Sequence, residues 1–301
     1  MIRINRLNWG GNLKTVSVIM PCYNDGRYIG QAVESIRLQT YQHIELIIAD
    51  DGSDDKDTLY ALKDISFPNK KIIQTNHVGP AIARNKCIAA ASGSFILPLD
   101  ADDMIDSTYI EKAVQILEDN PAIGIVYCQA AFFGEKSGKW ELPKYSLEEM
   151  LLGNVIFTSA MFRKIDWEKT SGYNESMKYG LEDYDFWLTL LENDKQVHQI
   201  QEVLFHYRIK SVSRSSIMQK SIETVQESYR QVYINHKNFF TKYNDLYLNA
   251  LREKVVKQSV DIEKLQNKIA LYEKRHVMIT LLKNIPGIWS LARRIFRDKE
   301  H

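Results

Sequence analysis

The chain has 301 residues, 45% of them hydrophobic, which is enough for one large or two modest cored domains. Its 39 basic and 38 acidic side chains leave a formal charge of +1, so no global field steers it toward nucleic acid. No run reaches the ~18 uninterrupted apolar residues of a membrane span, which leaves any membrane contact peripheral.

The polar start, residues 1–14, lacks the apolar core of a signal peptide and is expected to be a flexible N-terminus. Short apolar runs then alternate with helical patterns. Strands are expected at 16–20, 44–49, 71–75 and 95–99, and helices at 28–39, 57–64, 80–91 and 107–119, the last with Ser107 as N-cap. Continuous apolar strands, each followed by a helix, predict an α/β fold with a mostly parallel sheet covered by helices on both faces. In such sheets ligands bind beyond the carboxyl ends of the strands. The polar clusters Tyr23-Asn24-Asp25, Asp50-Asp51-Gly52-Ser53 and Asp100-Ala101-Asp102-Asp103 all fall at those ends.

Beyond residue 123 the pattern is mixed. A strand is expected at 155–163, a helix at 182–194, and one long strand or a strand pair at 196–207. No glycine or proline occurs from Leu181 to Ile285, and the stretch from about residue 215 is strongly helical. The three cysteines, Cys22, Cys87 and Cys128, share no metal-type spacing and read as reduced thiols in a cytoplasmic setting.

Asp100, Asp102 and Asp103 put three carboxylates in four residues after a buried strand, where they repel one another unless a cation neutralises them. A hard divalent ion, Mg²⁺ or Mn²⁺, takes one or two such carboxylates together with substrate phosphate oxygens. Asp50 and Asp51 fit a capped turn, and equally a contact to a nucleobase N–H or a ribose hydroxyl. No glycine-rich dinucleotide fingerprint or Walker loop is present; Gly26-Arg27-Tyr28-Ile29-Gly30 has the wrong spacing. Arg84, near the start of a helix, is either a solvated surface residue or a partner of phosphate or the acidic cluster. Asp183, Phe186, Trp187, Leu190 and Leu191 share one helical face, so Asp183 points at the protein from a helix start. The helix dipole accounts for Glu182 and Asp185, whereas Asp183 is placed to act as a general base. His206 at the end of the following strand reads first as a structural residue and second as a metal ligand.

Residues 16–24 (Val-Ser-Val-Ile-Met-Pro-Cys-Tyr-Asn), Ile48 to Ser53, Ala83-Arg84-Asn85, Leu99 to Asp103 and Leu181 to Trp187 follow the order and spacing of family 2 glycosyltransferases, bacterial surface-polysaccharide enzymes among them. The chain resembles that family over about residues 15–216. The resemblance implies a GT-A fold and inverting transfer of a sugar from a nucleotide diphosphate donor, most often a UDP-sugar, with Mn²⁺ or Mg²⁺. It implies that Pro21, Tyr23 and Asp51 contact the nucleobase, that Arg84, Asp100 and Arg208 serve the donor site, that Asp102 holds the metal, and that Asp183 is the base. Asn24, Asp50, Asp103, Glu182 and His206 are further candidates. Where the family often carries a histidine after Tyr-Arg, this chain has Lys210. The expected acceptor is a glycan or a lipid-linked (polyprenyl diphosphate) glycan in surface-polysaccharide synthesis. A nucleotidyltransferase and a non-catalytic scaffold are the rival readings; the first lacks a glycine-rich triphosphate loop, and the intact Asp100, Asp102 and Asp183 argue against the second.

A helical extension is expected over 217–284. Leu248, Leu251, Val255, Gln258, Ile262, Leu265, Ile269 and Tyr272 step alternately by three and four, a heptad seam suited to a homo-oligomeric coiled coil. After Pro286-Gly287, residues 285–301 carry Trp289 and Ile295 with Arg293, Arg294 and Arg297, a basic amphipathic pattern suited to the cytoplasmic face of the inner membrane.

Overall fold

The computed structural model describes residues 13–211 and 221–283. The N-terminal segment up to residue 12, the boundary near 215 and the terminal amphipathic pattern lie outside the described residues.

Strand β1 (Val16–Cys22), helix α1 (Gly26–Arg37), β2 (Ile44–Asp50), α2 (Lys56–Asp64), β3 (Lys70–Gln74), α3 (Pro80–Ala90) and β4 (Phe95–Pro98) follow as the apolar runs predict. Every residue of β2 and β4 is buried, as is all of β1 except Pro21, which is why these strands lack polar alternation. The order β3-β2-β1-β4 is parallel throughout. Helix α3 packs against β1 and β2, and α1 against α2. Gly26 is where α1 and α2 meet: a Cβ there would sit 2.2 Å from the Thr58 backbone nitrogen, so only glycine permits the approach.

The second half is mixed. Its elements are β5 (Met104–Ile105), α4 (Tyr109–Asp119), β6 (Ile123–Gly134), β7 (Gly138–Trp140), α5 (Leu147–Leu152), β8 (Met161–Arg163), α6 (Lys164–Glu168), α7 (Glu182–Glu192) and β9 (Gln196–Ile209). The sheet continues β4-β8-β6-β9-β5, with β8 antiparallel to both neighbours and β9 a single long strand parallel to β6. It is a GT-A-type arrangement, parallel on one side and mixed on the other.

Two expectations are corrected. Ser107 does not cap α4: the helix starts at Tyr109 after Thr108, and the Ser107 carbonyl instead accepts the Thr40 N–H at 2.7 Å. The strand expected at 155–163 is confined to Met161–Arg163. Ahead of it Tyr109 Oη donates to the Ser159 carbonyl at 2.7 Å and Asn154 Oδ1 accepts from Ile156 N, so side chains satisfy backbone groups that a ladder would otherwise use.

Helices α8 (Ile222–Asn235) and α9 (Lys237–Lys242) complete the first compact unit, with Ser221 capping α8 through Thr224 N. The second unit begins at Asn244 and holds α10 (Asn244–Lys283), a single 40-residue helix. Its heptad positions stand open to solvent: Leu248 is 51%, Ile262 55%, Leu265 59% and Ile269 56% exposed. Among the described residues no helix is long and apolar enough to cross a membrane.

Candidate active site

The loops after β1, β2 and β4 meet the start of α7 and the end of β9. Arg84 on α3 makes the central junction. Its Nη2 donates to Asp100 Oδ1 at 2.7 Å and its Nη1 to Glu182 Oε1 at 2.8 Å. The side chain is buried, a helical arginine turned inward because carboxylates on both sides compensate its charge. Burial works against that charge, but Asp100 and Glu182 outweigh it and hold the guanidinium more firmly protonated than an ordinary arginine. Tyr173 lies 5.7 Å from the same guanidinium, and burial raises its hydroxyl pKa, with Arg84 opposing and Asp183, Glu182 and Asp100 adding to the rise. The acidic loop after β4 and the Glu182-Asp183 pair thus belong to one site, although Asp100 and Glu182 are 82 positions apart in sequence.

Asp183 sits on the first turn of α7. Leu181, the residue ahead of the helix, has φ +63°, a left-handed conformation costly for a branched side chain. Thr158 Oγ1 donates to Asp183 Oδ2 at 2.9 Å, and Tyr184 N donates to Oδ1 at 2.8 Å. Burial, and then the neighbouring Glu182 charge, push its pKa up to about 6, opposed by the Thr158 hydroxyl and Arg84. Glu182 and Asp185, for which the helix dipole gives a local reason in the sequence, are buried ion-pair members. Asp185 Oδ1 accepts from Asn235 Nδ2 at 2.6 Å and lies 3.4 Å from His236 Nε2, whose Nδ1 is 3.2 Å from Glu192.

At the other end, Asp51 Oδ1 accepts from Thr75 Oγ1 at 2.6 Å and Val78 N at 2.7 Å, and Oδ2 from Gly79 N at 2.8 Å. Gly79 takes φ +87° to present that N–H. A carboxylate has about four acceptor sites, so Oδ2 keeps one for a ligand N–H. Beside it the exposed Tyr23 ring lies 4.3 Å from the His77 ring, a ready-made wall for a flat base. Pro21 is the half-buried penultimate residue of β1. Asp50 accepts from Ser53 N and Asn24 bonds Asp54 and Asp55, so both shape the loops.

The acidic loop is held from β9. Asp103 is buried and accepts from Arg208 N at 2.8 Å; burial, Asp102 and Asp100 raise its pKa well above the carboxylate range. Arg208 lies between the rings of Phe133 (4.2 Å) and Tyr28 (4.6 Å) and donates through Nε to the Asp102 carbonyl. Asp102 itself pairs with Lys210 Nζ at 2.6 Å, and Lys210 also reaches Asp25 at 3.0 Å. Burial and Asp102 raise the Asp25 pKa, with Lys210 opposing. His206 meets Asp106 at 3.2 Å, and its ring lies 6.4 Å from that of Phe133. Among the described residues no group of three or more His, Cys, Asp or Glu converges as a self-sufficient metal cage.

An aromatic wall lies on the Thr158 side. Trp140 stacks on Phe132 (5.1 Å) and on Phe157 (6.2 Å), which directly precedes Thr158, and leans on Tyr207 (5.1 Å). Lys210, Asp25, His77, Thr158 and Tyr173 were not singled out as site residues from sequence. Asp25 and Lys210 adjoin recognised motifs, and that adjacency was the available signal.

The family model described as "Glycosyl transferase family 2" matches residues 17–200. A glycosyltransferase of Haemophilus influenzae, described as uncharacterized, is 32% identical over 74% of this chain and 80% of its own length. Chondroitin synthase of Escherichia coli is 31% identical over 59% of this chain, but that match spans only 26% of the synthase. Among solved structures, S. aureus TarS 1–349 in complex with UDP-GlcNAc has a TM-score of 0.61 at 18% identity, covering 79% of both chains. The mannosyltransferase PcManGT from Pyrobaculum calidifontis, in complex with GDP-Man and Mn²⁺, has a TM-score of 0.58 at 16% identity, covering 89% of this chain and 83% of that one.

Proposed function

The chain belongs to glycosyl transferase family 2, and from that premise we propose that it moves a sugar, with inversion, from a UDP-sugar to a hydroxyl of a glycan or lipid-linked glycan in surface-polysaccharide synthesis. The observation that carries the reading is the Arg84 bridge, which sets Asp100 and the Glu182-Asp183 pair on opposite sides of one guanidinium. A donor sugar oriented by Asp100 would then lie within reach of a base. TarS and PcManGT, with their UDP-GlcNAc and GDP-Man, support a nucleotide-sugar donor, and chondroitin synthase supports a polysaccharide product.

In this reading Tyr23 and His77 flank the base, and the remaining acceptor site of Asp51 Oδ2 takes its imino N–H. Asp183, raised to about 6, is ionised at neutral pH yet more basic than an ordinary carboxylate. Thr158 and Tyr184 fix its two oxygens and leave each a lone pair for the acceptor O–H. Asp183 takes the hydroxyl proton, and the oxygen attacks the anomeric carbon from the face opposite the diphosphate. The bond to the diphosphate breaks and the centre inverts. The half-buried Trp140 and its aromatic neighbours offer the acceptor sugar an apolar face.

The acidic loop fits Mn²⁺ or Mg²⁺. Burial, and after it their carboxylate neighbours, push Asp25 and Asp103 up, so four acids share this loop with few cations among them. Asp102 would hold the ion jointly with donor phosphate oxygens, and a bound ion supplies Lewis-acid neutralisation of the leaving diphosphate. The open heptad face of α10 supports self-association, and the basic pattern at 285–301 supports peripheral contact with a cytoplasmic membrane face.

The test is release of UDP from a panel of UDP-sugars, with GDP-Man as comparison, by the full chain and by Asp183→Asn. Acceptor-dependent release by the wild type, lost in the variant while UDP still binds, is expected. Undiminished transfer by Asp183→Asn would remove that residue from its role.

A further inference from the structure

Asp25, Asp100, Asp102 and Asp103 crowd the rim of the site. Arg84 takes Asp100, and the backbone of Arg208 takes Asp103. Lys210 alone among the described residues is placed as an ion-pair partner of both Asp25 (3.0 Å) and Asp102 (2.6 Å). It emerges just past the end of β9, and its ammonium lies 5.2 Å from the centre of the Tyr28 ring. Its side chain is 20% exposed, so it is held but not walled in.

The carboxylate that Lys210 grips is the one offered to a divalent ion. A cation at about 2.1 Å from an Asp102 oxygen and an ammonium on the same carboxylate repel, and the repulsion favours the ammonium giving way. Lysine suits such an exchange: its charge is compact, with three donors on a flexible stem. Released from Asp102, it keeps Asp25 as an anchor and has donors free for phosphate oxygens.

We propose that Lys210 is a tethered cation of the donor site, which holds Asp102 before the donor enters, yields it to the divalent ion, and then contacts the donor diphosphate. This rests on the nucleotide-diphosphate reading above. Its signature is a pair of effects of opposite sign. Toward the metal alone Lys210 is a competitor; toward the nucleotide it is a ligand.

The experiment measures Mn²⁺ binding without nucleotide, and UDP binding at saturating Mn²⁺, by calorimetry on the full chain and on Lys210→Met. The variant is expected to bind Mn²⁺ tighter and UDP weaker, each by roughly tenfold, the scale of one charge-assisted contact. Lys210→Arg keeps the charge and should hold UDP affinity nearer the wild type. Because Lys210→Met leaves two carboxylates facing each other, Asp25→Asn/Lys210→Met gives a second variant with less repulsion and the same expected directions. Unchanged or weaker Mn²⁺ binding, or unchanged UDP binding, overturns the proposal while the donor reading stands. A wild type that binds neither UDP nor GDP overturns both.

Discussion

His236 provides a test of how the helical segment after the sheet supports the α7 helix. Its ring lies 3.4 Å from Asp185 and 3.2 Å from Glu192, both on α7, and only 3% of the residue is exposed. Burial alone would lower its pKa, but these two carboxylates outweigh burial and raise it from 6.5 to about 9. A raised histidine stabilises the fold fully below its unfolded pKa and loses that contribution as pH rises through the folded value. The difference of 9 and 6.5 is 2.5 units, which at about 1.4 kcal/mol per unit is on the order of 3 kcal/mol. His236→Gln keeps a polar side chain and removes the titration. Its deficit relative to wild type should be largest near pH 6 and shrink steadily to pH 9.5. For a unit of this size about 1 kcal/mol shifts the melting midpoint by roughly 2–4 °C, so the gap between the two melting curves should narrow by several degrees across that window. Melting midpoints by circular dichroism in matched buffers measure it. A gap constant across the window would refute the charge argument and leave His236 as a packing residue.

Three further outcomes follow, two from the site and one from α10. Asp183 should give transfer an acidic limb near its pKa of about 6, with turnover falling below it, and Thr158→Val, which removes a donor to the carboxylate, should move that limb to higher pH in a pH–rate profile. Trp140→Ala should raise KM for a glycan acceptor by roughly tenfold, the cost of losing an aromatic contact, with UDP affinity by calorimetry unchanged. Ile262→Asp with Leu265→Asp should convert any α10-mediated oligomer to monomer by light scattering; a wild-type chain already monomeric at high concentration would refute association through that face.

Strands β1, β2 and β4 were legible because they are covered on both sides, so their apolar runs needed no alternation and no knowledge of neighbours. Residues 155–160 misled for the same reason: they are mostly apolar and mostly buried, but a tyrosine hydroxyl from α4 takes the Ser159 carbonyl. In the site, each motif could be read where it stood, and the ties between motifs could not. Glu182 and Asp185 occupy helix-start positions that favour acids for local reasons. Nothing local distinguishes that preference from a buried pair whose cation lies 98 residues earlier, at Arg84, or from one whose partner is His236 at the junction of α8 and α9. Lys210 lies 185 residues from Asp25 in sequence, so their pairing had no sequence signature beyond a departure from the family's usual histidine.

The two cations that bridge carboxylates at the rim differ in kind, and the difference matches where each stands. Arg84 is 3% exposed at the side chain and spans two acids with a rigid, permanently charged fork. Breaking its pair with Glu182, buried on both sides, costs about 3–5 kcal/mol, so Arg84 stays in place and fixes the spacing between the donor loop and α7. Lys210 is 20% exposed and holds Asp102, itself 18% exposed, by a single flexible ammonium. Its loss to water costs far less, and a divalent ion can replace it without disturbing Arg84. Exchanging the residues should therefore fail in both directions. Lysine at 84 has one compact charge where two carboxylates lie on separate nitrogens of the fork, and would leave one of them unpaired. Arginine at 210 would preserve charge toward the diphosphate but carry a bulkier, planar head beside Tyr28, so Lys210→Arg should release Asp102 to Mn²⁺ more slowly than wild type while retaining UDP.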